Sequence, residues 1–198
     1  MADEPGAKRT DSHGKPADLV ILTGPPGAGK STTANALATN FERAVHLHTD
    51  DFWHYIVSGG IPAYLPESDR QNHVVMDVIR AAALTYAAGG YTTIIDGIIG
   101  PWMLHHFRSP QHDGTPLRFH YIVLRPDREA TLARAQARTT PDALVDPVPI
   151  KSMWDQFTDL GDLESHVIDT SQQTPAETLA AVARAIASNN YLLPDITS

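Results

Sequence analysis

The stretch from Asp18 to Ser31 constrains this chain more than any other. The apolar run Asp18-Leu19-Val20-Ile21-Leu22-Thr23 leads without a break into Gly24-Pro25-Pro26-Gly27-Ala28-Gly29-Lys30-Ser31. A short apolar run that ends in a glycine turn reads as a buried strand. The residues from Lys30 onward, Lys-Ser-Thr-Thr-Ala-Asn-Ala-Leu-Ala, are compatible with a helix. Glycines between the two allow backbone conformations in which several N–H groups converge, and the helix N-terminus adds partial positive charge. Such a turn is a cradle for phosphates. The alternative, a glycine turn that only joins a strand to a helix, has no need of the terminal Lys30-Ser31 pair. Candidate nucleotide-binding residues are Gly24, Pro25, Pro26, Gly27, Ala28, Gly29, Lys30, Ser31 and Thr32.

The Gly-x-x-x-x-Gly-Lys-Ser spacing is that of a Walker A loop, in which the lysine reaches the β- and γ-phosphates and the hydroxyl ligates Mg²⁺. Further strands are predicted at Ala44 to Thr49, Tyr91 to Asp96, Leu117 to Leu124 and His166 to Asp169. Helices are predicted at Ser68 to Ala88, Arg128 to Arg138 and Pro175 to Ser188. Strands alternating with helices predict an α/β fold, a parallel sheet of about five strands with helices on both faces, because parallel strands need crossover connections. Residues 18–198 read as one domain, preceded by a polar tail at 1–17 that lacks the apolar core of a signal peptide and reads as disordered.

Composition narrows the function classes. No apolar run approaches the roughly 20 residues that span a bilayer. The absence of cysteine excludes disulfides, cysteine zinc sites and thiol nucleophiles, and fits a cytoplasmic protein. A net charge of −8 disfavours polymeric nucleic acid as a partner, since binding it usually needs a basic stripe. A small substrate is unaffected by that reasoning.

Past the second strand comes His48-Thr49-Asp50-Asp51-Phe52-Trp53. In doubly wound sheets ligands collect beyond the carboxyl ends of the strands. Asp50, with Asp51 second, is therefore a candidate to accept a hydroxyl proton or to help hold Mg²⁺; a helix cap with an acidic first turn is the competing reading. His46 and His48 share one strand face and read as structural. Asp96, ending Ile94-Ile95-Asp96-Gly97, is open between metal binding, substrate contact and turn capping. Trp53, Tyr55, Tyr64 and Arg70, with Trp102 and Arg108 after the third strand, are candidate acceptor contacts, though each has a packing or surface alternative. His105-His106 lacks the His-x-x-x-His or Glu-x-x-His pairing of a metal signature.

Strand, Walker A loop, helix, strand and then Asp-x-aromatic resembles the small-molecule and polynucleotide kinases of the P-loop class. These include gluconate, shikimate and uridine kinases, chloramphenicol phosphotransferase and 5′-hydroxyl polynucleotide kinases. Asp50-Asp51-Phe52-Trp53 is similar to the Asp-x-Phe-Tyr motif of uridine kinases, which implies a three-layer P-loop fold and a general-base role for Asp50. Arg134 and Arg138 lie four apart, on one helical face, before the turn-rich segment 139–149. That arrangement resembles the arginine helix and lid of adenylate-kinase-like enzymes, and implies Arg134 on the nucleotide side and Arg138 on the phosphoryl side. Thr170, Ser171 and Gln172 stand where related kinases contact the base. The implied reaction is transfer of the γ-phosphoryl group of ATP or GTP, with Mg²⁺, to a hydroxyl of a sugar, nucleoside or antibiotic. A nucleoside monophosphate kinase, a polynucleotide 5′-kinase and a nucleotide-dependent regulatory module remain alternatives.

Overall fold

The computed structural model describes residues 18–107, 111–112, 115–139 and 143–193; Arg108, residues 140–142 of the expected lid and the proposed 1–17 tail lie outside them. Its sheet strands are β1 (Leu19–Thr23), β2 (Ala44–His48), β3 (Thr92–Asp96), β6 (Phe119–Leu124) and β7 (Val167–Ile168), with a small antiparallel pair, β4 (Gln111–His112) and β5 (Thr115–Pro116), apart from them. All sheet pairings are parallel, in the order β2-β3-β1-β6-β7. The helices are α1 (Lys30–Ala38), α2 (Thr49–His54), α3 (Asp69–Ala88), α4 (Arg128–Gln136), α5 (Pro147–Asp155) and α6 (Pro175–Ser188).

Central strands of a parallel sheet are covered on both faces, and β1 and β6 are accordingly buried at every position and mostly apolar. Side-chain alternation sends Leu19, Ile21, Ile95, Tyr121 and Val123 to one face, against Val75, Met76, Ile79 and Ala83 of α3 and the 3-10 helix Pro101–Phe107. Val20, Leu22, Ile94, Ile122 and Leu124 face the other way, against Ala34 and Leu37 of α1 and Val182, Ala185 and Ile186 of α6. The result is the expected three-layer α/β arrangement.

Three details differ from the sequence reading. The second strand ends at His48, and Thr49 opens α2 with Asp50 and Asp51 in its first turn, so neither acid is the cap. The segment expected to be a lid through Pro149 is already helical from Pro147, because Asp146 accepts the Val148 N–H at 2.9 Å and proline suits the first turn. The fourth sheet strand starts at Phe119, two residues later than expected.

At the amino end of β1, Asp18 ties the sheet together. Arg118 Nη2 donates to both of its oxygens at 2.8 Å, and the buried His120 ring lies 3.4 Å from Oδ2. Burial would raise this carboxyl, but the bonds from His120 and Arg118 outweigh it and hold it below its ordinary value. A depressed carboxyl stabilises the fold above the unfolded pKa, and that contribution is lost as pH falls through the folded one. Asp18→Asn should therefore cost about 1 kcal/mol at pH 7. Its melting curve should begin to approach that of the parent as pH falls below about 4 and meet it only below the folded value, as scanning calorimetry across the acid range will register.

Candidate active site

The loop between β1 and α1 curls at the carboxyl edge of the sheet. Gly27, at φ 80°, presses on α4: a Cβ there would lie 2.6 Å from the Thr131 carbonyl oxygen and 2.9 Å from the Ala135 nitrogen. Only glycine allows that approach. Helix α1 begins with no side-chain cap and no acid in its first turn, whereas α4, α5 and α6 are capped by Asp127, Asp146 and Thr174. An uncapped N-terminus leaves its N–H groups and partial positive charge available to an anion.

Lys30 lies folded over this loop, its Nζ donating to the carbonyls of Gly24 and Pro25 at 3.0 Å each. Burial pushes its ammonium down to about 8; the Asp96 and Asp50 carboxylates oppose the drop and the Arg138 guanidinium adds to it. Those influences place the charges of Asp50, Asp96 and Arg138 around the same ammonium. A triphosphate would give Lys30 stronger, charge-assisted partners than two carbonyls.

Asp96 ends β3 beside His48 and is fully buried. Ser31 Oγ donates to its Oδ2 at 2.6 Å, while His46 Nε2 and His48 Nδ1 meet Oδ1 at 2.5 and 3.0 Å. Burial alone would raise the Asp96 carboxyl; the bonds from His46, His48 and Ser31 together hold it well below the usual carboxylate range. The same contact raises the His48 imidazole above its ordinary value, against the pull of burial. His46 and His48 are thus structural in a specific sense, as donors that keep Asp96 ionised. Their alternation on β2 was visible in the sequence, but their shared target on β3 was not.

The hydroxyl–carboxylate pair of Ser31 and Asp96 offers hard oxygen donors of the kind Mg²⁺ prefers. With its hydrogen directed at Asp96, the Ser31 oxygen keeps lone pairs for a cation.

Asp50 contrasts with Asp96. It is 67% exposed, with His48 Nε2 3.8 Å away. Its position is set by Thr49, which is buried against Gly97: a Cβ on Gly97 would stand 1.9 Å from the Thr49 hydroxyl. The start of α2 is thereby pinned to the end of β3.

The other expected contacts separate into groups. Arg134 donates to the carbonyls of Thr170 and Ser171 at 3.1 Å each, which joins α4 to the 170–172 loop. Thr170 itself is fully buried, which removes its side chain from any surface a nucleotide reaches. Ser171 Oγ accepts the Asp127 N–H at 2.8 Å and bonds Asp169; Gln172 is exposed beside it. Arg138 lies just past the end of α4 and is exposed, as is Thr32 in the first turn of α1.

Trp53 is half-buried and its indole N–H donates to Asn72 at 2.8 Å, a packing role. Tyr55 and Arg70 line a groove of about 540 Å³ between α2 and α3, together with Phe52, Ile56, Gln71 and Val74. At roughly 100° per residue, Phe52 falls on the side of α2 away from Asp50, and Tyr55 and Ile56 follow the helix end. Tyr55 and Arg70, read as candidate acceptor contacts, thus share this groove. Tyr64 is exposed on the loop before α3, and Trp102 is part-exposed, its ring edge-on to Phe157 at 5.8 Å.

Comparison with known proteins agrees with this geometry. No curated protein matches the chain in sequence. A sugar kinase from Janibacter sp. superposes with a TM-score of 0.62 at 21% identity, over 87% of this chain and 95% of that one. The tunicamycin resistance protein of Deinococcus radiodurans gives 0.62 at 14% identity, over 90% and 99%. Shikimate kinase from Acinetobacter baumannii, solved with shikimate, gives 0.60 at 17% identity, over 87% and 94%. These likenesses establish the fold.

Replacing Lys30 with methionine removes the cation and keeps the stem. Nucleotide affinity, measured by calorimetry, should fall at least about 100-fold while the far-ultraviolet spectrum is unchanged. With residues 20–159 matching its family model, the chain belongs to the AAA-domain family, and its fold is that of the P-loop kinases.

Proposed function

We propose that this protein is a P-loop phosphotransferase that moves the γ-phosphoryl group of ATP or GTP to a hydroxyl of a small molecule. The observation that carries this reading is the division of labour between two acids. Asp96 is buried and occupied by three donors, whereas Asp50 stands exposed at the head of α2, within electrostatic reach of Lys30. A site that only holds or hydrolyses a nucleotide has no evident use for the second, open carboxylate.

In this reading the loop amides and Lys30 hold the β- and γ-phosphates. Ser31 and Asp96 would hold Mg²⁺, which when bound supplies charge neutralisation on the phosphates. Asp50 accepts a hydrogen bond from the acceptor hydroxyl, orients its oxygen toward the γ-phosphorus and takes its proton as the bond forms. Arg138, just past α4, adds positive charge where the phosphoryl group passes. Arg134 braces the 170–172 loop beside the base, and the segment before α5 closes over the site and excludes competing water.

The acceptor class follows from the same placement. Asp50 is suited to deprotonating an alcohol, whose proton must leave during transfer; a phosphate acceptor is already ionised at neutral pH. Sugars, nucleosides and hydroxylated antibiotics, screened by thermal shift with a nonhydrolysable nucleotide and then by mass spectrometry, should include a phosphorylated product. Turnover confined to nucleoside monophosphates, or hydrolysis without any acceptor product, would overturn the proposal. With an acceptor in hand, Asp50→Asn should lower kcat by about 10²–10⁴-fold while nucleotide affinity is retained.

A further inference from the structure

Outside the phosphate site, three imidazoles converge. His73 lies in α3, and His105 and His106 lie in the 3-10 helix Pro101–Phe107. One ring nitrogen from each lies within 4.8 Å of the others. In sequence the adjacent pair His105-His106 lacked a third ligand at helical spacing; the packing of α3 on the 101–107 segment supplies it from 32 positions away by residue number, counting His73 to His105.

We infer that His73, His105 and His106 form a binding site for one transition-metal ion of the zinc class. The second nitrogen of His105 and of His106 supports this. His106 Nδ1 is 2.8 Å from Asp77 Oδ1, and His105 Nδ1 is 3.0 Å from the Trp102 carbonyl oxygen. Each of these bonds takes a ring N–H and leaves Nε2 as a lone pair. His73 Nε2 stands 3.6 Å from Asp69 Oδ1, the carboxylate toward which its N–H can turn once Nδ1 gives up its hydrogen. Metal-ligating histidines are oriented in this way, with the non-ligating N–H given to a carboxylate or a backbone carbonyl.

Without a metal, His73 Nδ1 and His106 Nε2 lie 2.8 Å apart and share a hydrogen. An ion takes that hydrogen's place. Zinc–nitrogen bonds of about 2.0–2.1 Å need ring nitrogens roughly 3.3 Å apart, so His73 and His106 must spread by about half an ångström while His105 moves in by at most about 1.5 Å. The exposed His105 ring is free to make that movement, while the His106 side chain, only 7% exposed, anchors the site. Imidazole donors select zinc, cobalt, nickel or copper over Mg²⁺, so the site is chemically distinct from the oxygen pair at Ser31 and Asp96. Three protein ligands leave further positions open to water. An ion held here would cross-link α3 to the segment that follows β3.

Cobalt(II) and zinc(II), titrated into nucleotide-free protein with millimolar Mg²⁺ present, test the assignment. The expected result is about one equivalent of Co²⁺ bound at micromolar affinity, with a visible d–d band displaced by Zn²⁺ and a higher Tm. His105→Gln, at an exposed position that should leave the fold intact, and His73→Gln should each weaken binding at least about 10-fold, with circular dichroism confirming the fold. His48→Gln should leave it unchanged. The inference is overturned by the absence of saturable binding, or by binding that survives both substitutions. Loss of binding with His48→Gln alone would also overturn it, by moving the ion to the cluster of His46, His48 and Asp96.

Discussion

A fully buried carboxylate needs donors, and the arrangement of this site depends on how Asp96 obtains them. Two come from β2, the strand next to β3, and one from the first turn of α1. Removing a partner from a buried, hydrogen-bonded charge is generally costly, on the order of 3–5 kcal/mol, because the remaining group is left uncompensated. The bonds therefore do more than stabilise Asp96. They hold the carboxyl ends of β2 and β3 in register with the phosphate helix, and so fix where α2 starts and where Asp50 stands.

Around that anchor the helix amino ends differ, α1, α2 and α3 lacking the side-chain cap that the later helices have. Helices α4, α5 and α6 have side-chain caps, the last a full capping box of Thr174 and Glu177. Helix α1 has none, and the lysine at its head is desolvated against two carbonyls. Departures of this kind concentrate at functional sites, where the missing partner is the ligand. The exposure of Asp50 is what the proposed role requires: an acid that is to meet a substrate cannot be saturated by protein donors.

Helix α4 connects the two halves of the nucleotide side. Its backbone lies against Gly27, Arg134 reaches the 170–171 carbonyls, and Arg128 meets Asp155 at 3.3 Å and stacks toward Trp154. The phosphate loop, the loop after β7 and helix α5 are thus all referenced to one short element.

Much of this was legible in one dimension. The apolar run of β1, the glycines and Lys30-Ser31 determined a strand, a phosphate loop and a helix, because each depends on neighbours a few residues away. Alternation of apolar strands with helical stretches determined a parallel α/β sheet, and Asp50 could be placed by its position just after a strand. Strand order could not be read, since pairing joins residues about 50 positions apart, as His46 and His48 join Asp96. For the same reason the directions of Tyr55 and Arg70, the burial of Thr170 and the meeting of His73 with His105 and His106 were hidden. The sequence by itself determined that a triphosphate has a cradle here. Only the tertiary structure decided which acid is tied down and which is free, because that depends on the donors each one meets in the fold.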